Sequence, residues 1–301
     1  MTNVDFIGDI HGYADQLESL LAKLGYEKKW GVYQHSERKV IFVGDYIDRG
    51  PDNERVIRIV RSMVDAGNAI ALCGNHEYNA ICFNTKSTAG YLRPHTIKNI
   101  VQHAATLHQF HGKQAQYDDA IRWFKTLPLY YETDEYRVVH AAWDEPSIDY
   151  LSRYLIDGII PDELYPESAD KTSALFRAVE ITCKGKETSL PQGVSFKDKD
   201  GTERHEIRLK WWLDPRGKTF KEMSVVQGLQ MNDTKYEDEA ANYYREDEKP
   251  VFFGHYWLNG LPKLYSANVC CLDFSVAKNG YLSCYRFSGE KELDDRNFVY
   301  I

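Results

Sequence analysis

The chain has 301 residues, 43% of them hydrophobic and 27% charged, with 37 Lys and Arg against 45 Asp and Glu. Those fractions exclude wholesale disorder, a collagen-like repeat and a coiled coil, and the length suits one large α/β domain or two ordinary ones. The net charge of −8 argues against a nucleic-acid coat or a membrane-surface binder, although a local cation can still hold an anionic ligand.

An apolar run, Val4 to Ile7, opens the chain as a predicted strand. A helix follows with Leu17, Leu20, Leu21 and Leu24 on one face and Gly25 as its stop. A second strand is predicted over Val40 to Val43. Next comes a helix carrying Val56, Ile59, Val60 and Met63 between Pro51 and Gly67, then a third strand over Ala69 to Cys73. This alternation predicts an α/β sheet with parallel strands. Tyr78 to Thr126 reads as mostly helical, with Trp123, Phe124 and Leu127 as packing residues, and Tyr136 to Val139 as a strand. Pro146 to Pro215 is irregular, with a helix expected over Lys171 to Ile181 and a turn at Asp198 to Gly201. The polar, acidic stretch from Met231 to Pro250 reads as a loop or surface helix. Strands are predicted again over Val251 to Phe253, Asn268 to Leu272 and Tyr281 to Phe287.

Proline and glycine do not gather into a linker. The expectation is a single domain over 1–301, with a helical insertion at about 80–127 and a variable one at about 146–250. No apolar run approaches the ~18 residues of a membrane-spanning helix. The opening MTNVDFIGDI lacks the basic and long apolar regions of a signal peptide, and the six cysteines form no CxxC pair. A cytoplasmic protein with reduced thiols is expected.

Five motifs sit at the ends of five predicted strands. They are GDIHG (Gly8 to Gly12), GDYIDRGP (Gly44 to Pro51), GNHE (Gly74 to Glu77), VVHAAWD (Val138 to Asp144) and FFGHYW (Phe252 to Trp257). In open α/β sheets ligands gather at the carboxyl ends of strands, so Asp9, His11, Asp45, Asn75, His140 and His255 can converge. Two carboxylates, an amide oxygen and three imidazoles suit divalent Mn, Fe, Zn, Ni or Co, and two ions are the economical reading. Asp9, His11 and Asp45 would hold one ion. Asp45, Asn75, His140 and His255 would hold the other, with Asp45 bridging. Such a pair can activate a shared water to hydroxide and clamp the attacking and leaving oxygens of an in-line displacement.

His76 follows Asn75 and can face the substrate, and Asp48 can accept its hydrogen bond and favour its protonated form. His76 would then protonate the leaving oxygen, while Arg49 offers a planar fork for phosphate. A lone histidine after a strand is usually structural, but five motifs in order after five apolar strands are not a chance pattern. His35, His95, His103, His108, His111 and His205 lack such a motif and read as surface or packing residues. Cys270 and Cys271 read as packing. Trp211 and Trp212 read as packing in preference to a base-stacking platform.

At these motifs the chain resembles the calcineurin-like metallophosphoesterases. GDIHG, GDYIDRGP and GNHE are similar to the phosphoprotein-phosphatase branch, which includes bacterial serine/threonine phosphatases and diadenosine-tetraphosphate hydrolases. The resemblance is close over Val4 to Glu77 and continues through Trp123 to Asp144 and Val251 to Arg286. FFGHYW with the strands after it looks like the dinucleotide-tetraphosphatase group. RLKWWLDP (Arg208 to Pro215) is loosely similar to a Trp–Asp–Pro segment of the protein phosphatases. The resemblance implies an α/β, four-layer sandwich of two mixed sheets flanked by helices, with a dinuclear centre, the ligand roles above, a His76–Asp48 pair and phosphate bound by Arg49 and Asn75. It also implies a second phosphate-binding arginine, for which Arg204, Arg208 and Arg216 are candidates and Arg208 stands first.

Two departures are visible. Trp257 stands where the wider superfamily often has a second histidine, which leaves three protein ligands for the first ion. The residues after His140 read Ala-Ala-Trp and would narrow access. The implied activity is hydrolysis of a phosphate ester or anhydride with two divalent ions, Mn²⁺ foremost. A dinucleoside polyphosphate or related nucleotide is the first substrate class and a phosphoprotein the second. A catalytically silent interaction protein is the reading of another class. No membrane and no long nucleic acid are expected as partners.

Overall fold

The alternation in β1 (Val4–Ile7) sets the frame, because all four residues are buried and successive side chains point to opposite faces. Val4 and Phe6 face a second sheet, while Ile7 faces helices. Asp5 is also buried, and its carboxylate is satisfied by Tyr26 Oη at 3.0 Å, Arg38 Nε at 2.9 Å and Arg286 Nε at 3.1 Å. A computed structural model describes residues 3–88, 90–197, 203–226, 233–238 and 242–301.

Parallel β2 (Lys39–Phe42) and β3 (Ala69–Ala71) continue the first sheet on one side of β1. The second sheet is built from β4 (Tyr130–Glu132), β5 (Arg137–Val139), β6 (Val251–Phe253) and β7 (Val269–Cys271), in the order β7-β6-β5-β4. The chain then returns to the first sheet through β8 (Asp273–Phe274), β9 (Tyr281–Phe287) and β10 (Phe298–Tyr300). There β9 runs antiparallel to β1, with Ile7 opposite Cys284. Both sheets are therefore mixed.

The two sheets pack face to face, and the Phe6 and Phe252 rings stack with centroids 3.7 Å apart. The other face of the first sheet is covered by α1 (Ala14–Lys23) and α2 (Asn53–Asp65). Asp52 caps α2 by accepting the Arg55 amide, and Gly25, at φ +89°, follows α1 as the sequence predicts. Next come α3 (Asn75–Asn84), α4 (Ile97–Gln102), α5 (Ala104–Gln109) and α6 (Gln114–Phe124), which make up the helical stretch. Beyond it lie α7 (Glu145–Leu151), the one-turn α8 (Tyr165–Ser168), α9 (Ala174–Lys184) and α10 (Phe220–Met223).

The predicted strands and helices of 4–73 and 251–287 fall within a residue or two of the observed ones. Several short elements are additional: hairpins at Glu27–Lys29 with Val32–Gln34 and at Lys86–Ser87 with Gly90–Tyr91, together with β4, β8, β10 and α7. The helix expected over Lys171 to Ile181 is α9, shifted by three residues because Ser173 caps it through the Phe176 amide. The predicted turn at Asp198 to Gly201 lies outside the described residues. Of 231–250, the described residues form no helix. Cys270, Cys271, Trp211 and Trp212 are buried, as packing residues should be. No helix among the described residues is long and apolar enough to cross a membrane.

Candidate active site

Three of the five motifs leave the first sheet, after β1, β2 and β3, and two leave the second, after β5 and β6. Their carboxyl ends meet, so the site is assembled from two sheets. His11, Asp45, Asp48, Arg49 and His255 all adopt left-handed backbone, with φ between 48° and 73°. That conformation is costly for a side-chain-bearing residue and concentrates at functional turns. Two glycines make room: a Cβ on Gly254 would sit 1.9 Å from Asp9 Oδ1, and one on Gly74 would sit 2.3 Å from Asp45 Oδ1.

Asp9, His11, Asp45, Asn75, His140 and His255 are all buried. His140 donates Nδ1–H to the Val43 carbonyl at 2.8 Å, and its Nε2 faces Asn75 Oδ1 at 3.1 Å and Asp45 Oδ1 at 3.3 Å. His255 Nδ1 lies 2.7 Å from the same Asn75 oxygen. His11 donates Nδ1–H to the Ile47 carbonyl at 3.0 Å, and its Nε2 is 3.6 Å from Asp45 Oδ2. Nε2 of both His11 and His255 is buried with no hydrogen-bond partner. Lone pairs facing lone pairs in a dry site call for a proton or a cation between them. Two groups of ligand atoms lie within 4.8 Å of one another, Asp45–His140–His255 and His11–Asp45–His76. They share Asp45. The donors are oxygen and nitrogen, a set suited to first-row divalent ions, and they fit such ions.

Asp9 is placed differently from the rest. Its carboxylate accepts the His255 amide, at 3.1 and 3.3 Å, and it lies outside both compact groups. Burial, then the charges of Asp273 and Asp45, push its carboxyl well above the usual range. At Asp45 burial acts in the same direction, but the charges of His140 and His76 outweigh it and hold that carboxyl well down.

His76 lies at the first turn of α3. Its Nδ1 is 2.6 Å from Asp48 Oδ2, and its Nε2 is 3.9 Å from Asp45 Oδ2. Burial opposes its proton, but the Asp45 charge and the Asp48 hydrogen bond prevail and raise it to about 9. His11 is lowered to about 4 by burial and by the neighbouring His76 charge. These two rings meet edge to face with centroids 4.7 Å apart.

The site opens on a cleft of about 840 Å³, lined by Asp48, Arg49, Asn75, His76 and His255. Of the candidate second arginines, Arg204 and Arg208 line it. Arg208 has one arm on Glu187 at 3.3 Å and its buried Nε unpartnered. Arg216 is turned away, exposed and forked onto Asp214 two residues back, and so leaves the candidate set. Trp257 stacks on His11 with centroids 5.3 Å apart, with Arg49 Cζ 5.5 Å and Lys278 Nζ 4.2 Å from its ring. Trp143 does not narrow this cleft. It packs against Arg137 and lines a separate cavity of about 580 Å³ near α7.

Sequence reasoning missed two participants. Glu77 is fully buried, and its carboxylate accepts the amides of Asp45 and Tyr46 at 2.8 Å and of Gly74 at 3.1 Å. It ties the loop after β2 to the start of α3. Its place as the last letter of GNHE was the available signal. His103, read as a surface or packing residue, is buried with Nδ1 2.8 Å from Asp48 Oδ1. No motif marks it. The other five unassigned histidines are exposed or half-buried.

A family model for calcineurin-like phosphoesterases matches residues 2–256. Among curated relatives, bis(5′-nucleosyl)-tetraphosphatase PrpE of Oceanobacillus iheyensis is 51% identical over 74 residues, which is 24% of this chain and 30% of that one. The match thus spans under a third of that relative. The PrpE of Bacillus subtilis is 32% identical over 177 residues, 54% of this chain and 68% of that one. A protein serine/threonine phosphatase of Saccharomyces cerevisiae shares the fold, with TM-score 0.51, 12% identity, and coverage of 100% of this chain and 79% of that one. By the extent of the family match and the two-sheet site it accounts for, the chain belongs to the calcineurin-like phosphoesterases.

Proposed function

We propose that the protein is a metal-dependent phosphohydrolase that cleaves a phosphoanhydride or phosphate ester, with a dinucleoside polyphosphate as the first substrate class. The observation that carries this reading is the meeting of two groups of buried ligand atoms, joined at Asp45, at the floor of a cationic cleft, where His76 of one group is also bonded to Asp48. Asp9, His11 and Asp45 would hold one divalent ion, and Asp45, Asn75, His140 and His255 the other. When bound, two such ions supply Lewis-acid charge that lowers the pKa of water and offsets negative charge growing on phosphate oxygens. The oxygen-and-imidazole donor set suits Mn²⁺, Fe, Zn, Ni or Co, and Mn²⁺ is the ion we propose first.

The chain's own groups supply the rest. Arg49 presents its guanidinium fork to the phosphate at the cleft floor, with Asn75 and Arg208 as further contacts. Asp48 holds the Nδ1 side of His76, which leaves Nε2–H to protonate the leaving oxygen as the P–O bond breaks. Glu77 fixes the two loops that carry Asp45 and His76. The names of the curated relatives support a dinucleoside tetraphosphate, and so does the crowd of cations around the cleft. We read the chain as one domain with insertions at about 80–127 and 146–250. All six cysteines are free, which supports a cytoplasmic setting.

Parallel assays of the Mn²⁺-loaded protein on diadenosine tetraphosphate and a phosphoserine peptide test the substrate class. Faster turnover of the tetraphosphate is expected. Preference for the peptide would move the reading to a phosphoprotein phosphatase.

A further inference from the structure

Asp48 and Arg49 form a turn of two consecutive left-handed residues, each at φ 69°. Neither is glycine, so the conformation must be held from outside. The holder is α5 and the residue before it. Thr106 Oγ1 donates to Asp48 Oδ1 at 2.5 Å and accepts the Asp48 amide at 3.2 Å. Gln109 donates to the Gly50 carbonyl at 3.0 Å and accepts the Asn53 amide at 2.6 Å. His103 Nδ1–H reaches Asp48 Oδ1 at 2.8 Å. Its far nitrogen, Nε2, accepts from Tyr117 Oη of α6 at 2.6 Å, and Asn84 of α3 donates to that hydroxyl at 2.7 Å. Asp48, His103 and Thr106 are all buried. One carboxylate thus receives three side-chain donors: His76 on Oδ2, and His103 and Thr106 on Oδ1.

We propose that His103 and Thr106 are positioning residues for proton delivery: the helical insertion clamps Asp48 from behind, and Asp48 in turn fixes the angle at which His76 presents Nε2–H to the leaving oxygen. This rests on the reading of His76 as the general acid. A carboxylate with both oxygens occupied cannot rotate, so the imidazole bonded to it cannot swing. In the step itself a water-derived hydroxide forms a new bond to phosphorus as the P–O bond to the leaving group breaks, the departing oxygen keeps the electron pair and takes the His76 proton, and a neutral imidazole remains.

Leaving-group dependence separates this role from a merely structural one. A nitrophenolate leaves without a proton, whereas an alkoxide or nucleotide oxygen needs one. The Mn²⁺-loaded full chain is assayed on an aryl phosphate with a good leaving group and on an ester with a poor one, with metal content and melting temperature measured for each variant. His103→Ala and Thr106→Val should lower kcat on the poor leaving group roughly tenfold or more, and on the aryl phosphate less than about threefold, with KM and bound metal unchanged. His103→Asn, whose amide nitrogen falls near the Nδ1 position, and Thr106→Ser should recover most of the loss. Tyr117→Phe removes only the distal hydroxyl and serves if His103→Ala does not fold. Equal losses on both substrates, or no loss, would overturn the proposal. His76→Asn is the control. If it shows steep leaving-group dependence while the His103 and Thr106 variants do not, the inference alone fails. If His76→Asn itself shows none, the general-acid reading fails and the inference with it.

Discussion

Asp48 illustrates how one residue's partners set the chemistry of its neighbour. Burial pushes its carboxyl up, but hydrogen bonds from His103 and His76 outweigh burial and hold it well below the usual carboxylate range. An ionised Asp48 keeps the proton on His76. The sign of the stability effect follows. His76 has a folded pKa of about 9 against an ordinary 6.5, so its contribution is fully present below about pH 6.5 and is lost as pH rises through about 9. In the metal-free protein, the difference in unfolding free energy between wild type and His76→Asn should shrink across that window. A difference that grows with pH would contradict the assignment. At the same scale, Asp45→Asn removes the carboxylate shared by both ligand groups. Metal content and turnover should fall together, activity by roughly a hundredfold or more.

Elements explain why the site was legible and where legibility stopped. Each of β1, β2, β3, β5 and β6 is a short apolar run ending in a glycine-bearing or histidine-bearing loop, a local signal that needs no tertiary context. Nothing local says that β5 and β6 belong to a second sheet, because that depends on Phe6 meeting Phe252 across the interface. The roles of Glu77 and His103 were missed for the same reason, because each acts through partners 31 to 55 residues away in sequence, Asp45 and Tyr46 for one and Asp48 for the other. Arg216, one of three candidate arginines, dropped out because an arginine two residues from an aspartate can fold back on it. The 3₁₀ turn Val276–Lys278 carries Lys278 to the Trp257 ring, opposite in sequence but adjacent in space to Arg49. Trp257→Ala should therefore raise KM more for a dinucleoside tetraphosphate than for an aryl monophosphate, by roughly three- to tenfold, since each cation–indole contact is worth about 0.5–2 kcal/mol. Equal KM shifts on the two substrates would argue that the indole supports only His11.

For the whole molecule, the sheet interface carries the geometry of the site, because loops from both sheets must meet. Phe6→Ala should cost about 3–5 kcal/mol by leaving a cavity among Tyr136, Phe252 and Phe287, read as a drop in melting temperature. The net charge of −8 is distributed unevenly. Seven acids against two bases fall between Asp233 and Glu248, whereas the cleft is lined by seven Lys and Arg against Asp48 and Glu180. An acidic chain thus presents a basic mouth to its substrate. The most direct test of the account is a titration of metal-stripped protein with Mn²⁺, following bound metal and hydrolysis of diadenosine tetraphosphate in the same samples. The account predicts no turnover without metal, activity rising to a plateau at two ions per chain, and loss on chelation that fresh Mn²⁺ reverses. Full activity in the stripped protein, or a metal-loaded protein that cleaves neither phosphoanhydrides nor phosphate esters, would contradict it.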